Sequence, residues 1–345
     1  MPLLTRRFAL TALGAVAATV VATTATAQTV TLRLHQMLPQ QAAIPAKALI
    51  PWAQKVETES GGKIKVQLFH AMQLGGAPPA LFDQAKDGVV DLTWTVLGYT
   101  PGRFPKSEVF ELPFMSGKAE QSSKAFQEYV EKFAADEFKD VKLIAVHTHG
   151  PGLFHTKEPV NGLEALQGMK IRGGSRIINN MLTKLGATPV GMPVPAVTEA
   201  LSKGVISGTT IPWEVVPSLK VHELVKNHTT FAGDKGLYTQ TFAFSMNKAS
   251  YERLPADLKK VIDNNSGINT AALFGKAMDD GDKEGRDIAV KAGNKIIALE
   301  VAETQRWRRT AAVVETDWLA EVAKKNIDGA KLVSEARALI AKHSK

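Results

Sequence analysis

The sequence predicts a mixed α/β protein of two domains, on three observations. Short runs of alternating or β-branched residues take turns with stretches of helical periodicity along most of the chain. Residues 28–345 are long enough to bury two cores. No repeat, low-complexity tract or flexible linker divides them, which favours several crossings between the domains over two units on a tether.

Residues 1–27 read as an export leader. Arg6 and Arg7 give a positive start, 8–22 an uncharged apolar stretch, and Ala25, Thr26 and Ala27 a small-residue cleavage site, so the mature chain begins at Gln28. The apolar stretch is too short and wrongly flanked to remain as a membrane helix, and no later segment is apolar enough to span a bilayer. The arginine pair leaves both general and twin-arginine export open. After the leader, 30–35 alternates as a first strand. Residues 46–60 have helical period, with Trp52 and Val56 four apart, and Gly61-Gly62 stops them. In 63–69, Ile64, Val66 and Leu68 share one face of a second strand. A helix over 79–88 leads to a third strand over 89–96. A longer helix over 119–139 precedes a fourth strand, 142–147. Short strands at 170–172 and 188–190 flank a helix that ends at Gly186. The strongly alternating 238–247 is long enough to tie two domains together, and from Pro255 onward the pattern is almost wholly helical.

The chain carries a net charge of +8, from 42 Lys and Arg against 34 Asp and Glu. The bases are interspersed with acids, without polybasic runs or aromatic–basic alternation, so nucleic acid is not an expected partner. A modest positive surplus suits collecting small anions. Cysteine is absent, which removes disulfides, thiol nucleophiles and thiolate metal sites. No nucleophile elbow, phosphate-cradling loop, HExxH or GxGxxG motif occurs, so neither an enzyme nor a cofactor is expected. His147, His149 and His155 have no carboxylate near them before Glu158, and a zinc site needs three or four convergent ligands. They read as a strand running into a loop near a hinge, with His149 free to donate to a ligand and no metal bound. The Asp279-Asp280-Gly281-Asp282 run has its glycine misplaced for a calcium loop and reads as a solvated helix face.

The most informative stretch is 168–214. Arg172 closes the short β-like run and is followed by Gly173-Gly174, where a ligand can approach the backbone. Ser175 is placed to cap the next helix, whose N-terminus itself favours an anion. A planar guanidinium there offers two parallel donors to a carboxylate. Arg176, one position past the cap, is expected to face solvent. Further on, Trp213 and Glu214 stand behind Pro212.

These residues resemble the substrate-binding proteins of tripartite ATP-independent periplasmic (TRAP) transporters, the DctP-like family. The likeness runs through 52–76, 85–99, LQGMKIRGG at 166–174, 185–208 and 254–262, in the family's order. It implies a two-domain periplasmic binding protein fold with hinge-crossing strands and a long helix spanning both domains. We expect domain I at 28–148 plus 237–276 and domain II at 149–236 plus 277–345. It implies a periplasmic protein that closes on a small organic carboxylate and delivers it to TRAP permease subunits. Arg172 falls on the family's carboxylate-clamping arginine. Many members carry a second arginine, whose place here falls near Gly152, and an Asn where this chain has Ile211. Those losses disfavour sugar acids and C4-dicarboxylates. Trp94 and Trp213 are the leading aromatic walls, with Tyr99, Phe154 and Ile211 beside them, and Met37, Leu38 and Tyr238 near the same strand ends. Together with Gly173, His149 and Glu214 they point to a monocarboxylate with an apolar or aromatic body, such as a 2-oxo or 2-hydroxy acid. Glu214 is placed to meet a ligand hydroxyl or a bridging cation. A periplasmic ligand-sensing protein for a membrane receptor is the alternative.

Overall fold

A computed structural model describes residues 29–344; the expected leader lies outside the described residues. Two mixed sheets form the two lobes. The first sheet has the order β2-β1-β3-β10-β4. Its strands are β1 (Val30–Gln36), β2 (Ile64–Phe69), β3 (Leu92–Val96), β4 (Val141–Thr148) and β10 (Thr241–Asn247). The second sheet, β11-β9-β5-β8-β6-β7, contains β5 (Leu153–Thr156), β6 (Lys170–Gly173), β7 (Thr188–Gly191), β8 (Gly208–Ile211), β9 (Asn227–Thr230) and β11 (Lys295–Ala298). β1, β2 and β3 are parallel, as are β6, β7 and β8. β3 and β10 are buried along their whole lengths, with large apolar side chains (Leu92, Trp94, Val96; Phe242, Phe244, Met246) on one face and small or polar ones on the other.

Helices α1 (Ile50–Glu59), α2 (Leu81–Lys86) and α3 (Ala119–Tyr129) cover the first sheet. In the second lobe, α4 (Arg176–Lys184), α5 (Val197–Ser202) and α6 (Val221–Leu224) follow β6, β7 and β8, although α6 is a single turn. Ser175 caps α4 as the sequence predicts, its Oγ accepting from Ile178 N–H. α7 (Lys248–Glu252) and α8 (Ala256–Asn264) return to the first lobe. α9 (Ile268–Lys291) then packs on α3 and β4 at one end and on the 213–215 turn at the other, so it is the expected lobe-spanning helix. α10 (Val301–Ala311), α11 (Val313–Ala323) and α12 (Gly329–His343) complete the chain.

The expected domain boundaries need two changes. The cut between 276 and 277 falls inside α9, and α12 packs on α3 and the 107–111 turn of the first lobe, so 277–345 is not a single part of the second. The hinge is an antiparallel ribbon: Gly152 N–H donates to Tyr238 O (2.9 Å) and Leu237 N–H to Gly152 O (3.1 Å). No side chain fits at Gly152, where a Cβ would lie 2.3 Å from the Tyr238 ring. Two apolar clusters flank the sheets, and each runs through both lobes.

Candidate ligand cleft between the lobes

The two sets of parallel strands point their carboxyl ends at one another, the place where open α/β sheets present ligand sites. Met37 and Leu38 follow β1, Val96 ends β3, Val194 follows β7, Ile211 ends β8, and Glu214 and Val215 follow it. Together with Trp94, Tyr99, Arg172, Gln240 and Phe242 they enclose a cavity of about 20 Å³, room for a single water.

Arg172 is the chemical centre. It lies on β6 between Val190 of β7 and Thr209 of β8, and it is 0% exposed. Its Nε donates to Met192 O (2.9 Å) and an Nη to Thr210 O (3.1 Å), so the carboxyl-end carbonyls of both neighbouring strands aim the guanidinium into the cleft. The other Nη has no partner, and no acid among the described residues pairs with this side chain. Burying a cation without a counter-charge is costly, so the geometry calls for an anion.

The facing wall is aromatic and held rigidly. Trp94 stacks on Phe242, with centroids 5.2 Å apart and planes at 11°, and Phe242 stacks on His147 at 4.7 Å. Trp94 Nε1–H donates to His147 Nε2 (2.8 Å), which fixes the imidazole as the Nδ1–H tautomer. Burial depresses His147 to about 3, so it stays neutral. Tyr99 bridges the lobes: Val194 N–H donates to its Oη (2.8 Å). It also borders a wider opening of about 250 Å³, walled by Pro79, Gly98 and Pro101 on one side and Gly173, Asn179 and Met192 on the other. Gly173 therefore stands at the mouth rather than in the enclosed part.

Arg172, Trp94, Tyr99, Ile211 and Glu214 converge as the sequence predicts. Three expected residues do not. Phe154 points from β5 into the second lobe's core, edge-on to Trp307 (5.5 Å), because alternation turns its side chain to the face covered by α10. Trp213 packs edge-on to His155 (5.0 Å) and against His228 (4.7 Å), and borders a separate pocket with Phe231 and Lys235. His149 is not free to donate to a ligand. Its Nδ1 bonds Gly150 O (2.6 Å) and its Nε2 accepts from Gln240 N–H (3.0 Å), so it fixes Gln240 instead. Burial, reinforced by the Arg172 cation, lowers it to about 3. Arg176 is half-buried rather than free in solvent, paired with Glu108 across the lobes (Nε to Oε1, 2.6 Å) and with Glu321. Val96, Val194, Val215, Gln240 and Phe242 were missed as wall residues. The alternating 238–247 run held the signal for the last two, since Gln240 and Phe242 lie on one face of it.

A two-lobed protein with crossed connections, a cleft at facing strand ends and one buried, unpaired cation is a binding protein built around a small anion. The model of family 7 of the bacterial extracellular solute-binding proteins, DctP, matches residues 37–321. The chain belongs to this family and is a solute-binding protein of transport systems. A TRAP solute binding protein from Rhodoferax ferrireducens, solved with copurified benzoate, is 51% identical, with a TM-score of 0.90, over 92% of this chain and 99% of that one. A marine metagenome protein described as specific for aromatic acid ligands, solved with 3-hydroxybenzoate, is also 51% identical (TM-score 0.91; 92% and 100% covered). A TRAP protein from Bordetella bronchiseptica, with bound (R)- and (S)-mandelate, is 32% identical (TM-score 0.84; 91% and 99% covered). The family is extracellular, and among the described residues no helix is long and apolar enough to cross a membrane.

Proposed function

We propose that this protein captures an aromatic monocarboxylate outside the cytoplasm, after cleavage of residues 1–27, and hands it unchanged to a TRAP permease. The observation that carries this is the unpartnered, buried Nη of Arg172 facing the stacked wall of Trp94 and Phe242. Arg172 holds the carboxylate, and Trp94, Phe242, Ile211 and Val96 enclose the ring. An aromatic acid is larger than the enclosed cavity, so entry requires the lobes to part at Tyr99 and close again. Contacts made by both lobes then favour the closed state in proportion to their difference between the two states. The ligands of the three relatives share this design, a carboxylate on an aromatic body.

The test is titration calorimetry with benzoate, 3-hydroxybenzoate and mandelate against succinate and glucuronate. The aromatic acids bind and the others do not. Arg172→Ala removes a buried charge pair and costs about 2–5 kcal/mol of affinity, while the melting temperature without ligand moves little. Unaltered affinity in that variant, or preferential binding of succinate or glucuronate, would falsify the reading.

A further inference from the structure

Arg172 is one of two charged-type side chains in the enclosed cavity; the other is Glu214. We propose that Glu214 is the specificity residue of this site: its carboxyl group hydrogen-bonds a ring hydroxyl of the ligand while Arg172 holds the carboxylate. The inference rests on the aromatic-acid reading above and sharpens it to hydroxylated aromatic acids.

Glu214 is 7% exposed, and its Oε2 is buried without a hydrogen-bond partner among the described residues. Its placement is not loose. It sits in the 213–215 turn, its N–H donates to Asp282 Oδ1 of α9 (2.8 Å), and α9 approaches so closely that a Cβ on Gly281 would lie 2.8 Å from the Glu214 Cβ. The backbone is thus bound on the α9 side while the carboxyl group is left to the cavity. Leaving a buried polar group unmatched is costly, so its retention points to a ligand that matches it.

The protonation state narrows the class. Burial, with the Asp282 carboxylate adding to it, pushes Glu214 up to about 8. At neutral pH the group is mostly a carboxylic acid, with one donor and one acceptor. A phenolic hydroxyl, itself donor and acceptor, satisfies both ends. A second carboxylate supplies no donor and places a further charge in a poorly solvated site. A bare ring satisfies Arg172 and leaves Glu214 unpaired. Sites built to bond a hydroxyl reject the analogue that lacks it by large factors, because their own buried groups are then stranded.

The experiment compares benzoate with 2-, 3- and 4-hydroxybenzoate by titration calorimetry on the full mature chain, in the wild type, Glu214→Gln and Glu214→Leu. In the wild type one hydroxy isomer binds at least ~10-fold more tightly than benzoate. Glu214→Leu brings that isomer to within about 2-fold of benzoate, because the hydroxyl contact is lost. Glu214→Gln has nearly the same shape and retains a donor and an acceptor, so it keeps a measurable part of the preference and guards against a folding defect in the leucine variant. A wild type indifferent to every hydroxyl position, or a preference that survives in Glu214→Leu, overturns the assignment while leaving the aromatic-acid reading standing. If no aromatic acid binds the wild type, that broader reading fails and takes this one with it.

Discussion

At the scale of single residues, the cleft gathers polar atoms that the protein does not satisfy by itself. Alongside Arg172 and Glu214, Gln240 Nε2, Tyr238 Oη and Glu111 Oε2 are buried without partners. Glu111 has a measurable signature. It is 1% exposed, and its other oxygen accepts from Thr241 N–H (3.1 Å) and Thr241 Oγ1–H (2.9 Å), which ties the 107–111 turn to the start of β10. Burial raises it to about 7, above its unfolded value near 4.5. A carboxyl raised in this way favours the folded state at acid pH, and that contribution is lost as pH climbs from about 4.5 through about 7. Glu111→Gln keeps the acceptor for Thr241 and removes the ionisation. We expect its melting temperature to gain on the wild type by several degrees at pH 8 and by much less at pH 4. Parallel melting curves across pH would show that Glu111 is not the titrating group.

At the scale of elements, α9 joins the lobes by being narrow where it must be. Gly275 lies against the backbone of α3, Gly281 against Ala43 and Glu214, and Gly285 against Trp213, where a Cβ would fall 2.1 Å from the Trp213 carbonyl oxygen. Gly285→Ala improves helix propensity by up to ~1 kcal/mol but overpacks a rigid backbone contact at about 1–3 kcal/mol. The expected result is a lower melting temperature together with weaker ligand binding, because the turn carrying Glu214 is displaced. A variant as stable as the wild type would show that the turn yields freely. This helix also shows what sequence could and could not supply. Its acidic run reads as a solvated face, yet Asp279 accepts from the N–H groups of Ala119 (2.7 Å) and Glu120 (3.0 Å) at the start of α3, and Asp282 from Glu214 N–H; only Asp280 faces water, beside Lys276. Periodicity finds a helix but does not say what lies against it. Arg172 was legible because a cation before paired glycines and an N-cap is a local pattern. Trp213 was not, because its direction is set by how α9 holds the turn. β5, β8, β9 and β11 escaped notice because four residues are too few for alternation to show and, unlike the equally short β6 and β7, none of them flanks the helix that ends at Gly186.

At the scale of the molecule, closure is supported by contacts that never touch the ligand. Arg176 of α4 pairs with Glu108 of the first lobe, and Tyr99 accepts from Val194 across the mouth. Glu108→Gln weakens the cross-lobe pair and leaves Arg176 its second partner, Glu321. The open state gains population, and the apparent affinity for an aromatic acid falls about tenfold. Calorimetry gives the affinity, and small-angle scattering gives a larger radius of gyration without ligand than in the wild type. Equal affinities would place the closing energy elsewhere.

The position of β10 has a consequence for how the chain comes to be folded. β10 is formed from residues 241–247, yet it lies inside the first sheet, between β3 and β4, and α12 packs on that lobe from near the end of the chain. A polypeptide emerging N-terminus first therefore exposes β1 to β4 long before the strand that joins β3 to β4 has appeared. Neither sheet can be completed early, because β10 of the first and β11 of the second come from residues 241–247 and 295–298. The interleaving that gives the cleft its hinge thus also makes completion of either lobe wait on residues made late in synthesis.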